Sequence, residues 1–350
     1  MIYYRLATFE DNKQLLELTS SLWMPGKMAL RIDRNPNFFE LNKLRGRTNV
    51  YVAIEDHSIV GSICVSHEKV YINKEQYSLY YISDFKVAQT HRNRGIGFQL
   101  TNEVVNYLET ENADFAFLNV SKGNKRPFIF FSDRAQYPDF ENIGLFKIFQ
   151  FIGFNKKNFK SKYNIKLTEG NSEILEFLND YYSRHELANV ITKEKIQGTQ
   201  LFEVRQKTEL IAAMCLIDTM EMKQNVVIKM TWYLKFLVSF INGISSIFKM
   251  SKLPKENEPV NMLYIKYLAV KTYDKALIAS LISHARQCAY QKSYSFVSLG
   301  LHERDPLIKN LPNILKFTFN SIGMLVSLKR SQELMEKVQK GVPYKDYSIV

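Results

Sequence analysis

Apolar and polar residues alternate from Tyr80 to Val87, and farther along the chain Leu100, Val104 and Leu108 recur at helical spacing. The alternation predicts a strand that ends near Val87, and the later spacing predicts a helix. Between them, residues 91–97 read HRNRGIG, so two glycines and two arginines stand where the helix begins. We therefore expect the first half of the chain to be organised around a strand, a glycine turn and a helix.

The same patterns predict the other elements of the first half. A hairpin is expected because two apolar runs flank the turn-forming pair Asp56-His57. A strand over residues 114–120 follows a helical connection and should lie parallel to the central strand. In order, the prediction is a strand at 2–6, helices at 11–22 and 36–44, strands at 50–55 and 58–70, the central strand and helix, a strand at 114–120, a helix at 125–132 and a closing strand at 143–154.

The second half resembles a degenerate copy of the first. Residues 210–216 parallel 59–65, and residues 264–270 parallel 81–87. A helix over 274–290 and a strand over 294–300 then follow in the same order. Such an internal repeat predicts two domains of one fold.

The turn at 91–97 has the chemistry of an anion site. Glycine lets a ligand approach the backbone closely, and the first N–H groups of a helix lack acceptors within the helix. The helix dipole adds attraction for negative charge. A phosphate group is the expected ligand.

The spacing Arg92-x-x-Gly95-x-Gly97 after a strand resembles the acetyl-CoA signature, R/Q-x-x-G-x-G/A, of the GCN5-related N-acetyltransferases (GNAT). The resemblance covers about residues 1–160 and implies an α/β (α+β) fold, a mixed and mostly antiparallel sheet flanked by helices. It implies an acetyl-CoA-binding domain at 1–165 and a degenerate second domain at 166–350, whose turn at 271–276 has no glycine. The cofactor contacts implied are Phe85, Val87, Arg92, Asn93, Arg94, Gly95, Ile96, Gly97 and Asn124.

The catalytic candidates also come from the resemblance. Residues 83–87, SDFKV, are similar to the E-D-F-F-V segment of spermidine/spermine acetyltransferases, which makes Asp84 the preferred carboxylate. Ser83 replaces the glutamate that serves those enzymes as base, so polyamine specificity does not follow. Asp84 is alternatively a strand-end residue paired with Lys86. Phe131 stands where the family places a tyrosine acid, so Tyr137 or water is expected to protonate the thiolate.

Composition restricts the function further. The chain has 350 residues and a net charge of +12, which favours anionic partners, but its basic residues are scattered and do not predict nucleic-acid binding. Cys64, Cys215 and Cys288 lie far apart and match no metal or disulfide pattern. The first residues lack the apolar core of a signal peptide, so we expect a reduced cytoplasmic protein.

Residues 230–250 form an apolar stretch without a counterpart in the first half. We expect a helix that covers an apolar face of the sheet or of a partner subunit, such as a second copy in a homodimer; a helix at a membrane interface is the alternative. The predicted function is transfer of the acetyl group of acetyl-CoA to an amine of an unidentified acceptor. The alternatives are a non-catalytic CoA-binding or scaffold protein and an acyltransferase at the membrane surface.

Overall fold

The computed structural model describes residues 1–24, 26–121, 139–155 and 162–350. In this part of the chain a 12-stranded sheet forms the centre, and three further strands make a small second sheet. The strands are β1 (Tyr3–Leu6), β2 (Trp23–Met24), β3 (Met28–Asp33), β4 (Arg47–Glu55), β5 (Ser58–Ile72), β6 (Glu75–Val87), β7 (Phe115–Ser121), β8 (Glu141–Ile152), β9 (Ile165–Thr168), β10 (Gln200–Gln206), β11 (Glu209–Asp218), β12 (Gln224–Met230), β13 (Met262–Val270), β14 (Phe296–His302) and β15 (Lys316–Ser327).

Helices cover the sheet, and short 3-10 turns lie at Phe9–Asp11 and Gln89–His91. The mixed α/β class predicted from the sequence is confirmed. The predicted helix at 125–132 lies outside the described residues. The described α-helices are α1 (Asn12–Ser20), α2 (Glu40–Arg45), α3 (Ile96–Thr110), α4 (Ser172–Tyr182), α5 (Lys193–Ile196), α6 (Trp232–Phe248), α7 (Lys275–Gln291), α8 (Leu307–Asn310) and α9 (Gln332–Lys340).

The predicted strand, turn and helix are confirmed as β6, the turn and α3. Leu100, Val104 and Leu108 face the sheet and are buried, as helical periodicity requires. Gly61 of β5 lies beneath the helix, where a Cβ atom would be 3.0 Å from side-chain atoms of both Ile96 and Leu100. The missing side chain at Gly61 therefore lets the start of α3 pack close to the sheet.

The last strands of the two halves are exchanged. The sheet order is β1-β4-β5-β6-β7-β15-β8-β14-β13-β11-β10-β9. Strand β15 pairs with β7 of the first half, for example Ile322 with Val120. Strand β8 pairs with β14 of the second half, for example Phe149 with Leu299. The strand predicted at 143–154 exists, but the prediction that it closes the first half is wrong, because β15 holds the place next to β7.

Each half contains a fork between two parallel strands. Strands β6 and β7 pair in parallel from Leu79–Ile82 to Phe115–Leu118, as predicted, and then separate. Strands β13 and β14 pair in parallel over only Met262–Tyr264 and likewise separate. The order β11, β13, α7, β14 thus repeats the order β5, β6, α3, β7.

The small sheet joins the halves in front of the first fork. Strand β3 from the first half pairs antiparallel with β12 from the second, for example Leu30 with Val227. Helix α6 packs its inner side, including Val238 and Ile241, against this sheet and against Met262 of β13. Sequence reasoning missed β3 because residues 28–33, MALRID, do not alternate apolar and polar residues from end to end.

Candidate functional site

The turn before α3 brings its backbone into the conformation that an anion site needs. Asn93 has φ +63° and Gly95 has φ +76°, both in the left-handed region that glycine and asparagine tolerate best. Gly95 is the N-cap residue of α3 and supplies no side-chain cap. A Cβ atom at Gly95 would meet no protein atom within 4 Å. Space is therefore open beside the first turn of α3, where Gly95, Ile96 and Gly97 line the cavity described below.

The two arginines of the turn have different surroundings. Arg92 lines the cavity described below. Arg94 donates to both carboxylate oxygens of Glu55, at 2.8 and 2.6 Å, and His91 Nε2 lies 3.0 Å from the same carboxylate. The hydrogen bonds from Arg94, with help from His91, lower the pKa of Glu55. Arg94 thus holds the turn against the β4–β5 hairpin, whereas Arg92 lies at the cavity.

A cavity of about 970 Å³ extends from this turn into the fork between β6 and β7. Its first part is lined by the end of β6, the end of β7 and residues of the turn, including Phe85, Val87, Gly97 and Asn119. Its far part is lined by apolar side chains of both halves, including the small sheet and α6. These are Leu22, Trp23, Met24, Met28, Leu30, Ile32, Leu234, Leu237, Val238, Leu253, Val260, Met262, Phe296, Phe317 and Phe319.

Asp84 occupies a bulge in β6. The pairing of β5 with β6 shifts between Ser62 and Cys64, and Asp84 has φ +47°. The simple alternation predicted for this strand is therefore wrong at Asp84, because the bulge adds a residue on β6. Asp84, Phe85 and Val87 all line the cavity instead of dividing between two faces.

The carboxylate of Asp84 is held by two buried arginines. Its Oδ2 accepts from Arg34 Nη1 at 2.9 Å and from Arg45 Nη1 at 2.6 Å, and both arginine side chains are buried. Burial alone would raise the pKa of Asp84, but the charges of Arg34 and Arg45 outweigh it and hold the pKa well below its usual range. Asp84 is consequently ionised and weakly basic.

Lys223 is a cavity residue that sequence reasoning missed. Its Nζ donates to the main-chain oxygen of Val350 at 2.7 Å and lies 5.2 Å from the centre of the Tyr264 ring. Burial, together with repulsion from Arg45 and Arg34, lowers the pKa of Lys223 to about 7. An isolated lysine before β12 carries no motif, so nothing in the sequence marks it as a site residue.

Two predicted site residues, Asn124 and Tyr137, lie outside the described residues, as does Phe131. Among the residues described, no group of three or more His, Cys, Asp and Glu side chains is placed to hold a metal ion. All three cysteines carry free thiols. In the described part of the chain, no helix is both long enough and apolar enough to cross a membrane.

The equivalent turn in the second half is closed to anions. Asp274 is the N-cap residue of α7, and its carboxylate accepts from the Leu277 N–H at 2.7 Å. That hydrogen bond lowers the pKa of Asp274. A fixed negative charge thus takes the position that a phosphate would need, which agrees with the predicted loss of the glycine turn.

Comparison with known proteins shows which family model and which solved structures the chain resembles. Residues 4–124 match the family model of the acetyltransferase (GNAT) domain. A GCN5-related N-acetyltransferase from Anabaena variabilis has 10% identity and a TM-score of 0.54, with 94% of this chain and 73% of that chain covered. N-myristoyltransferase of Saccharomyces cerevisiae with bound myristoyl-CoA has 12% identity and a TM-score of 0.60, with 93% and 79% covered. A probable N-acyltransferase from Enterococcus faecalis has 8% identity and a TM-score of 0.54, with 94% and 73% covered.

A comparison with the curated proteins finds no match. The chain thus matches the GNAT domain model over its first third and shares the fold of these structures over most of its length. The family model and the structural neighbours together support acyl transfer as its general chemistry.

Proposed function

We propose that the protein is an N-acyltransferase that moves the acyl group of a CoA thioester to an amine. The observation that carries this proposal is the uncapped glycine turn at the start of α3, which opens directly into the fork between β6 and β7. The pyrophosphate of CoA would bind the N–H groups around Gly95 to Gly97, with Arg92 beside it. The pantetheine arm would follow the separating strands, and the thioester would reach the middle of the cavity near Asp84.

Transfer requires an amine without its extra proton. The amine nitrogen attacks the thioester carbonyl, a C–N bond forms, and the C–S bond breaks to release CoA thiolate. The nitrogen must lose a proton and the thiolate must gain one. Backbone N–H groups at the end of β6 would stabilise the oxyanion.

Lys223 is our candidate for the proton acceptor. With a pKa of about 7, a large fraction of Lys223 is neutral near neutral pH, so its amine can take the proton from the acceptor nitrogen and return it to the thiolate. The charged groups facing it are Arg45, Arg34, Asp346 and Asp84. Asp84 in this scheme positions the two arginines and does not act as the base, because its pKa is held low.

The cavity also indicates an apolar substrate group. Its far part is lined by aliphatic and aromatic side chains from both halves, and water there is displaced favourably by hydrocarbon. We propose that an aliphatic group, on the acyl donor or on the acceptor, occupies this part. Turnover with acetyl-, octanoyl- and palmitoyl-CoA, each offered to small and to alkyl amines, distinguishes the two sources.

The test of the cofactor site compares two matched glycines. Gly95 (φ +76°) and Gly198 (φ +74°) have almost the same backbone conformation, and a Cβ atom at either would meet nothing within 4 Å. Gly95→Val and Gly198→Val should therefore lose similar stability. Only Gly95→Val should weaken acetyl-CoA binding in calorimetry, by more than about tenfold, or 1.4 kcal/mol.

Unchanged affinity in Gly95→Val would overturn the cofactor site. Equal losses in both variants would show that backbone strain, and not contact with the ligand, lowers the affinity. Tight binding of acyl-CoA without turnover of any amine would show that the protein binds CoA but does not catalyse transfer.

A further inference from the structure

The outer side of α6 is apolar where a solvent-facing helix is usually polar. Positions 232, 236, 240, 243 and 247 are three or four residues apart and so share one side of the helix. Trp232, Phe236 and Ile247 on that side are 81%, 71% and 75% exposed. Phe240 and Phe248 are also exposed. A continuous apolar stripe of this kind marks a contact surface.

The opposite side of the same helix forms part of the cavity wall. Leu234, Leu237 and Val238 line the cavity, and Val238 and Ile241 are buried in the core beneath. Trp23 and Met24, which are exposed at the surface, line the cavity as well. The apolar stripe and the apolar part of the cavity are thus separated by one helix.

Positive charge surrounds the stripe. Residues 222–255, which Glu221 and Glu256 flank, contain no Asp or Glu, and outside the cavity they carry Lys229, Lys235, Lys249, Lys252 and Lys255. Lys229 precedes the helix and Lys252 follows it along the chain, and both side chains are exposed. The Thr231 N–H donates to the Lys27 carbonyl at 3.0 Å, which places another exposed lysine at the start of α6. Lys235 Nζ lies 2.9 Å from Glu256 Oε2.

We propose that the outer side of α6, defined by Trp232, Phe236, Phe240 and Ile247, docks on the surface of an anionic lipid bilayer. The helix would lie in the plane of the interface with its aromatic side chains among the acyl chains. The neighbouring lysines would contact anionic headgroups. A second copy of the chain fits less well, because a symmetric contact would place the lysines of one copy against those of the other.

Docking in this orientation would bring apolar substrates close to the site of the proposed reaction. It brings the cavity wall formed by α6 and Trp23 to the bilayer surface, where molecules with aliphatic groups concentrate. An apolar acyl donor or acceptor then has a short path from the lipid to the cavity. The docking itself does not depend on the CoA site.

The experiment measures co-sedimentation of the full chain with vesicles. One set is phosphatidylcholine containing about a third phosphatidylglycerol, and the other is phosphatidylcholine alone. We expect at least about tenfold stronger binding to the anionic set, weakening at high salt because surface charges are screened. The double variant Phe236→Ser/Phe240→Ser should lose at least about tenfold of this binding, since two buried aromatic contacts disappear.

The matched control is Leu167→Ser, at an exposed apolar residue on the far edge strand β9. It should sediment like the parent protein. Thermal unfolding and acetyl-CoA affinity of all variants should match the parent, which separates failure of docking from failure of the cofactor site. The proposal is overturned if the parent does not bind anionic vesicles, if the double variant binds equally well, or if the double variant only dissociates a dimer in light scattering.

Discussion

Asp84 offers the sharpest test of the site's electrostatics. Replacing it by asparagine keeps the shape of the side chain but removes the charge that faces Arg34 and Arg45. The Arg34 side chain is fully buried and that of Arg45 is 2% exposed, so neither guanidinium can turn to water. Asp84→Asn therefore leaves two buried cations without their counter-ion.

The size of the expected loss in unfolding free energy follows from the burial of the two arginines. Removing one partner of a buried ion pair typically costs about 3–5 kcal/mol, and here one carboxylate serves two arginines. Hydrogen bonds from Arg34 to the Phe38 carbonyl and from Arg45 to the Ile349 carbonyl remain, which keeps the expected loss within that range. Urea unfolding should show a free energy of unfolding lower by about 3–5 kcal/mol.

The control is Asp180→Asn, the same chemical change in the exposed pair of Asp180 with Arg184. It should leave the unfolding midpoint unchanged. If Asp84→Asn instead kept full stability and lost only turnover, the carboxylate would act on the substrate and our assignment of it as a positioning group would be wrong. If Asp84→Asn matched the parent protein in both unfolding and turnover, Asp84 would have no role in the site.

Three further predictions follow from the charges and the topology. Burial would raise the pKa of Glu68, but Lys345 and Lys195 lower it to about 2. Because the pKa in the folded state lies below that in the unfolded state, this stabilisation is complete above about pH 4.5 and is lost as the pH falls towards 2. In Glu68→Gln the loss of unfolding free energy between pH 4.5 and 2 should therefore be smaller than in the parent by about 3 kcal/mol. The rate of acyl transfer should rise through about pH 7 as Lys223 loses its proton. Lys223→Met should lower the rate about 10²-fold or more and abolish this rise. A pH profile unchanged in the variant would exclude Lys223 as the base. Residues 166–350 expressed alone should not give a cooperative unfolding transition, since β14 loses its partner β8 and β15 loses β7; a sharp transition in circular dichroism would contradict the role given to the strand exchange.

Local features were predictable from the sequence. The alternation before Val87 and the helical spacing of Leu100, Val104 and Leu108 depend on neighbouring residues, and the glycines of the turn depend on backbone conformation at single positions. The repeat of the second half was visible for the same reason. These features gave the fold and the place of the anion site.

Features that depend on distant partners were not predictable. The bulge at Asp84 arises from pairing with β5, and the lowered pKa of Lys223 arises from burial next to arginines almost two hundred residues earlier. Nothing in the sequence of β15 identifies β7 as its neighbour, because any two apolar strands satisfy the same alternation.

The exchange of β8 and β15 also sets an order of events during synthesis on the ribosome. The first half emerges first, but β7 lacks its neighbour on one side until residues 316–327 have left the exit tunnel. For most of translation the growing chain therefore presents an open strand edge, to which other chains can add. Closing the sheet then requires contacts across about two hundred residues, which slows folding. We expect the nascent protein to need protection by chaperones that a single GNAT domain does not need.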